Sequence, residues 1–184
     1  MPLAAIAKGI VFVRKNSLKT YRNYGIFNAE RRIESRWFEM MISTRGRYAL
    51  RMMLDLAEYQ GDGYVALKDI AGRQEISKKY LEQIIPVLNR AGLLQTIRGY
   101  LGGYRLAKAP DKYTVGEILR ATEGSMAPVA CLETKPNQCT RCNECATLPV
   151  WEGLDKVVSE YLEGITLQDI LDQQRARLGD DYVI

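Results

Sequence analysis

The sequence predicts a mainly α-helical fold carrying one small β-hairpin, on three observations. Apolar residues recur at helical spacing in successive segments from Thr44 onward. Residues 93–108 break that rhythm with an alternating pattern folded about a glycine-dense centre. All four cysteines fall between Cys131 and Cys145, in a stretch with no period of its own.

The elements follow in order. In TRGRYALRMMLDLAEYQ (44–60), Ala49, Met52, Met53, Leu56 and Ala57 share one helical face, and Gly61-Asp62-Gly63 stops the helix. Leu67–Gln74 makes a short helix with Leu67, Ile70 and Ala71 inward. The turn Glu75-Ile76-Ser77 leads into a second helix, KKYLEQIIPVLNRAG, with Ser77 as its N-cap. Its stripe is Leu81, Ile84, Ile85, Leu88 and Ala91, and Pro86 removes one backbone donor, which predicts a local bend.

Leu94, Thr96 and Arg98 alternate outward and Tyr104 and Leu106 alternate back, giving the hairpin. Thr114 to Glu117 reads as a capping box opening a helix to Ala121, ended by Gly124. Residues 125–147 read as a loop. Val150, Trp151, Leu154, Val157, Val158, Tyr161, Leu162 and Ile165 mark a long amphipathic helix closed by Gly164. Thr166 then caps a last short helix, LQDILDQQ.

Charge divides the chain. Residues 1–40 hold eight Lys/Arg against three Asp/Glu, residues 41–108 eleven against six, and residues 109–184 seven against thirteen. A basic half suits phosphate-rich partners, and an acidic half should face away from them. The sequence contains no histidine, which excludes Cys/His zinc fingers, Ser-His-Asp triads and Rieske-type clusters. With no catalytic constellation visible, no enzymatic activity is expected. No apolar run reaches the roughly 18 residues of a membrane span, and no secretory signal pattern is present, so a cytoplasmic location is expected.

Helix, short helix, turn, helix and hairpin is the order of a winged helix-turn-helix, whose second helix suits the DNA major groove. Ser77, Lys78, Lys79, Tyr80, Glu82 and Gln83 stand at the start of that helix. Gln83 can address adenine, Glu82 can accept from cytosine, and the lysines suit phosphate or guanine. At the hairpin tip Arg98, Tyr100 and Arg105 sit among Gly99, Gly102 and Gly103. Glycines allow close approach to a sugar–phosphate wall, and a wing arginine can enter a narrow minor groove. Tyr104 on the wing and Thr44 and Arg45 at the start of the first helix complete the candidate contact set.

The strings GRYALRMMLDLA (46–57), ISKKYLEQI (76–84), AGLLQTIRGYLGGYRLAK (91–108) and YTVGEILRATEG (113–124) resemble the IscR/NsrR/CymR family of bacterial transcription regulators. The similarity runs from about Met41 to about Gln173, and its most distinctive phrase is RG-x-x-GGY-x-L, Arg98 to Leu106. It implies a homodimer on palindromic promoter DNA, with Arg98 in the minor groove and the helix at Ser77 in the major groove. It also implies that Trp151, Leu154, Val158, Tyr161 and Leu162 meet a two-fold mate.

The expected organisation is therefore a basic extension over 1–40, disordered or an upstream-start artefact with Met40 or Met41 as initiator. A DNA-binding domain over 41–124 follows, then a cluster-binding loop over 125–147. A dimerisation helix and short C-terminal helix occupy 148–175, and a tail occupies 176–184.

The cysteine spacing is Cys131-x7-Cys139-x2-Cys142-x2-Cys145. Zinc sites usually pair two C-x2-C knuckles across a longer span, whereas C-x2-C-x2-C is the tight wrap of ferredoxin-type loops. By resemblance, Cys131, Cys139 and Cys145 match the three cysteines of cluster-binding members. Those members add a histidine or an acidic residue, where this chain has Leu148 and Arg47, so Cys142 is the candidate fourth ligand. The expectation is an iron–sulfur cluster, [4Fe–4S] ahead of [2Fe–2S], gating a repressor. A four-cysteine zinc site and a thiol redox switch are the alternatives. An electron-transfer accessory protein is a more distant one.

Overall fold

A computed structural model describes residues 42–99 and 102–180. The expected extension over 1–40, the wing residue Tyr100 and positions 181–184 lie outside the described residues. Among the described residues the order is α1 (Thr44–Tyr59), α2 (Leu67–Gln74), α3 (Lys78–Arg90), β1 (Leu94–Ile97), β2 (Gly103–Leu106), α4 (Val115–Glu123), α5 (Leu148–Glu163) and α6 (Leu167–Asp180), with short 3-10 turns between.

α1 forms because Ala49, Met52, Met53 and Leu56 repeat at three- and four-residue intervals, and all four are fully buried. Ser43 caps it, its Oγ accepting from the amides of Arg45 (3.1 Å) and Gly46 (3.4 Å). A second cap comes from the far end of α4. Glu123 Oε1 accepts from Ser43 Oγ (2.7 Å) and from the Gly46 amide (3.0 Å), placing a carboxylate at the positive end of the α1 dipole. Gly46 is required there, because a Cβ would run into that carboxylate.

α2, its turn and α3 pack on α1 as a helix-turn-helix. Glu75 turns the chain in the left-handed region, with φ 53°. Ser77 caps α3 as its position predicts, accepting from the Tyr80 amide at 3.2 Å. Leu81, Ile84, Ile85 and Leu88 face the core. Pro86 lies on the exposed side, and α3 continues through it to Arg90. Asp55 of α1, buried to 1% exposure, is held by both arms of Arg73 from α2 (Nε 3.0 Å, Nη2 2.6 Å) and by Gln74 Nε2 (3.1 Å).

β1 and β2 pair antiparallel, with Leu94 opposite Leu106 and Ile97 opposite Gly103. Val65, just before α2, adds a bridge to Tyr104 through two amide bonds of 2.9 Å. Gly103 lies against that bridge, where a Cβ would stand 2.7 Å from the Val65 carbonyl oxygen. This is the winged helix-turn-helix, mainly α with a two-stranded wing, that the sequence predicts.

Buried Tyr113 ties the wing to the C-terminal half. Its hydroxyl donates to the Leu93 carbonyl (2.8 Å) and accepts from the Lys108 amide (2.8 Å), while its own carbonyl accepts from the Leu167 amide (3.0 Å). Thr114 caps α4 by accepting from the Glu117 amide (3.0 Å). The expected box is only half made among the described residues. The Glu117 carboxylate accepts from Lys108 Nζ (2.8 Å), whose nearby positive charge outcompetes the local amide. Thr166 and Asp169 form the reciprocal cap at α6, with bonds of 2.8 and 3.1 Å. α6 continues past the expected end at Gln174 to Asp180, because a polar helix needs no apolar period once capped and anchored at Leu167 and Leu171.

α5 contributes no buried residue and is held largely by polar contacts at its C-terminus. Glu163 accepts from Thr114 Oγ1 (2.7 Å) and pairs with Arg120. The Thr114 hydroxyl, with the Arg120 guanidinium, holds the Glu163 carboxyl below its usual range despite partial burial. A depressed folded value stabilises the protein above the unfolded carboxylate value of about 4.3, and that contribution disappears as pH falls through the folded value. Urea midpoints measured from about pH 7 to about pH 3 should therefore fall less steeply below pH 5 in Glu163→Gln than in the parent chain.

Candidate nucleic-acid interface and cysteine loop

Ser77, Lys78, Lys79, Glu82 and Gln83 are all exposed on the first turns of α3. Lys78 Nζ lies 3.8 Å from Glu82 Oε1, a loose exposed pair that a phosphate can displace at little cost. Tyr80 is half-buried, and its ring meets Tyr48 of α1 edge-on with centroids 5.3 Å apart, fastening the start of α3 to the scaffold.

On the wing, Arg98 is exposed immediately after β1, beside Gly99 at φ 113°. Arg105 is differently placed. Its Nε donates to Gln95 Oε1 (2.7 Å) across the hairpin and its guanidinium lies 4.8 Å over the Tyr64 ring, so it stiffens the wing. Gly103 is buried and Tyr104 half-buried in the strand pairing. A groove of about 1080 Å³ separates α3 from the wing, with Lys68, Lys78, Asn89 and Arg98 among its walls. Arg45 is exposed at the start of α1, and Thr44 Oγ1 beside it accepts from Arg47 Nη2 at 3.0 Å. The arrangement places cations and an amide on α3 and, on the wing, an exposed arginine with no partner among the described residues.

The cysteine loop runs from Gly124 to Thr147 between α4 and α5, with only two 3-10 turns, Ala130–Leu132 and Cys142–Glu144. All four thiols are free and half-buried. Asn137 Oδ1 accepts from the Cys139 amide (2.9 Å), and the Cys142 amide donates to the Cys139 carbonyl (3.1 Å), so residues 137–142 form consecutive turns. Cys145 Sγ lies 3.4 Å from Thr147 Oγ1. Hydrogen bonding from that hydroxyl, then from the Thr147 amide, lowers the Cys145 thiol, with a smaller contribution from Arg141.

These residues fit a thiophilic metal group in kind and in number: four soft sulfur donors and no imidazole. Among the described residues they do not stand together as a ligand set of three or more, so the loop must close for them to fit in place. A cavity of about 500 Å³ lies between its first half and α5, lined by Asn137 and Lys135 and by acidic residues of α5, with none of the four cysteines on its wall. Among the described residues, Asn137 Nδ2 is the one buried side-chain nitrogen or oxygen without a hydrogen-bond partner. Sequence reasoning missed Asn137, although an Asn two residues before a cysteine is an Asx-turn signal. It missed Glu123 as well, whose partners lie about eighty residues upstream.

The family model described as Rrf2, iron-dependent transcriptional regulator, matches residues 42–173. CymR of Bacillus subtilis, an HTH-type transcriptional regulator, is 41% identical over 131 residues, covering 71% of this chain and 89% of that protein. The solved structure of CymR, the global cysteine regulator of B. subtilis, superposes with a TM-score of 0.59 at 38% identity, over 72% of this chain and 97% of that one. IscR of T. potens superposes with a TM-score of 0.58 at 41% identity, over 73% and 88%. The helix-turn-helix and two-stranded wing agree with this match, and the chain belongs to the Rrf2 family of transcriptional regulators.

Proposed function

We propose that the chain represses transcription as a homodimer on two-fold symmetric promoter DNA, with its affinity set by an iron–sulfur cluster on Cys131, Cys139, Cys142 and Cys145. The observation that carries the DNA reading is the shared face of α3 and the wing. Lys78 and Arg98 both line one groove, and Lys79 and Gln83 stand exposed on the same helix as Lys78. In this reading α3 enters the major groove, Arg98 enters the minor groove, and Arg45 meets a flanking phosphate.

The dimer reading rests on α5. Val150, Trp151, Leu154, Val157 and Tyr161 form an exposed apolar stripe, with Val158 and Leu162 half-buried beside it. A stripe of that length on a regulator is matched best by a second copy of itself, since a two-fold operator needs a two-fold protein.

A bound cluster supplies a one-electron couple and sensitivity to oxidants and iron supply. The protein's part is to hold it through the four thiolates, [4Fe–4S] in preference to [2Fe–2S] because three cysteines at two-residue intervals can each take a different iron. The loop joins Glu123, which caps α1, to α5, so closing it bears on both the DNA-facing and the dimer-facing helices. The separation of the four thiols favours a second reading, in which they hold zinc or act as a redox switch without metal.

Anaerobic purification with metal analysis separates these readings. Brown protein with iron and sulfide in equal amounts is expected. Colourless protein with one zinc per chain, or with no metal, removes the cluster and leaves the DNA reading standing. Failure to enrich any duplex by in vitro selection from random DNA removes the DNA reading itself.

A further inference from the structure

The cysteine loop contains a hydrogen-bond donor with nothing to donate to. Asn137 Nδ2 is buried from solvent and, alone among the buried side-chain nitrogens and oxygens of the described residues, lacks a partner. Its orientation is not arbitrary. The same amide's Oδ1 accepts from the Cys139 amide at 2.9 Å, and exchanging oxygen and nitrogen would set two donors against each other. The side chain is therefore locked to the backbone of one of the thiol-bearing residues, with its two N–H bonds fixed and unused.

A buried unpaired amide is unfavourable and is rarely kept in a native protein without an acceptor in some state. A change in the loop would bring an acceptor to it. The Cys142 amide already bonds to the Cys139 carbonyl, so Asn137, Cys139 and Cys142 move as one run of turns. The groups in that run that gain negative charge on metal binding are the thiols, which become thiolates.

We propose that Asn137 is a positioning residue of the metal site: Oδ1 fixes the backbone at Cys139, and Nδ2 donates an N–H···S hydrogen bond to a thiolate once the loop has closed on its metal. The inference rests on the proposed cysteine-held cluster. Donors of this kind orient ligands and tune the metal, and removing them typically weakens metal retention about 10- to 100-fold.

The test is the rate of iron loss to a chelator from anaerobically reconstituted full-length protein, with no DNA present. Asn137→Ala removes both bonds. Asn137→Asp keeps an acceptor for the Cys139 amide and removes the donor. Gln138→Glu adds a negative charge at the exposed neighbouring side chain, gives up the 3.0 Å bond from Nε2 to the Pro136 carbonyl and leaves the Asn137 amide intact. Iron loss about tenfold faster or more is expected in both Asn137 variants, with Gln138→Glu within about twofold of the parent. The sulfur-to-iron charge-transfer bands should also shift in the Asn137 variants, which a purely structural role at the turn leaves unmoved. If Asn137→Asp loses iron at the parental rate with unchanged bands, the donor role is wrong and Asn137 only shapes the turn. If Gln138→Glu is as fast as Asn137→Asp and Asn137→Ala matches the parent, charge is the cause and the proposal fails. If the parent chain takes up no iron under the same conditions, the cluster reading fails and this inference falls with it.

Discussion

Replacing Arg73 with methionine is expected to lower unfolding free energy by about 1–3 kcal/mol, less than for a fully buried pair because the guanidinium is about a third exposed while Asp55 is buried. Asp55 has no exposed side-chain surface and takes both arms of the Arg73 fork, with Gln74 Nε2 as its third donor. Without the guanidinium, one amide remains to stabilise a carboxylate surrounded by the core of α1 and α2. The arginine also stacks 4.2 Å over the Tyr59 ring, so its loss removes packing as well as charge. Urea denaturation at neutral pH reads the effect directly. The double variant Asp55→Leu, Arg73→Met should recover most of the loss, because an apolar pair carries no unpaired charge. A double variant as unstable as the single one would show that shape at this joint matters more than charge.

Arg98→Ala is expected to weaken binding to a duplex recovered by in vitro selection about 5- to 150-fold, the effect of losing about 1–3 kcal/mol at one arginine contact. Arg98 is exposed just after β1 and makes no hydrogen bond or ion pair among the described residues, whereas Arg105 is tied to Gln95 and Tyr64. Arg105→Ala should therefore act through wing stiffness and cost less affinity than Arg98→Ala. Anisotropy titrations at a fixed salt concentration distinguish the two. Equal losses would mean that the wing acts as a unit and that Arg98 has no special place in a groove.

Local signals in the sequence account for most of the fold. The spacing of Ala49, Met52, Met53 and Leu56, and of Leu81, Ile84, Ile85 and Leu88, names the buried faces of α1 and α3 directly. Ser77 and Thr166 are caps because their side chains reach amides two or three residues ahead, a relation that sequence spacing contains. What escaped was non-local. Glu123 caps α1 from the far side of the winged helix, Asp55 finds Arg73 on the next helix, and Glu117 turns to Lys108 instead of its own cap. The extent of α6 escaped for a different reason, since Gln173 to Arg177 carries no apolar rhythm to mark a helix.

The candidate site divides in the same way. The positions of Lys78, Lys79, Gln83 and Arg98 followed from element order, because a turn and a hairpin place their own tips outward. The cysteine spacing identified the donors but not their geometry, which depends on a loop with no period and few backbone bonds. Asn137 became visible only once its orphan nitrogen could be seen.

The central claim is that the state of the cysteine loop sets affinity for DNA. The most direct measurement is anaerobic anisotropy titration of one selected duplex with iron-loaded protein and with the same protein after chelation. The two dissociation constants should differ about tenfold or more, within the range of typical allosteric coupling, and the difference should vanish in a Cys139→Ser, Cys142→Ser variant. Equal affinities for the iron-loaded and metal-free forms would contradict the account.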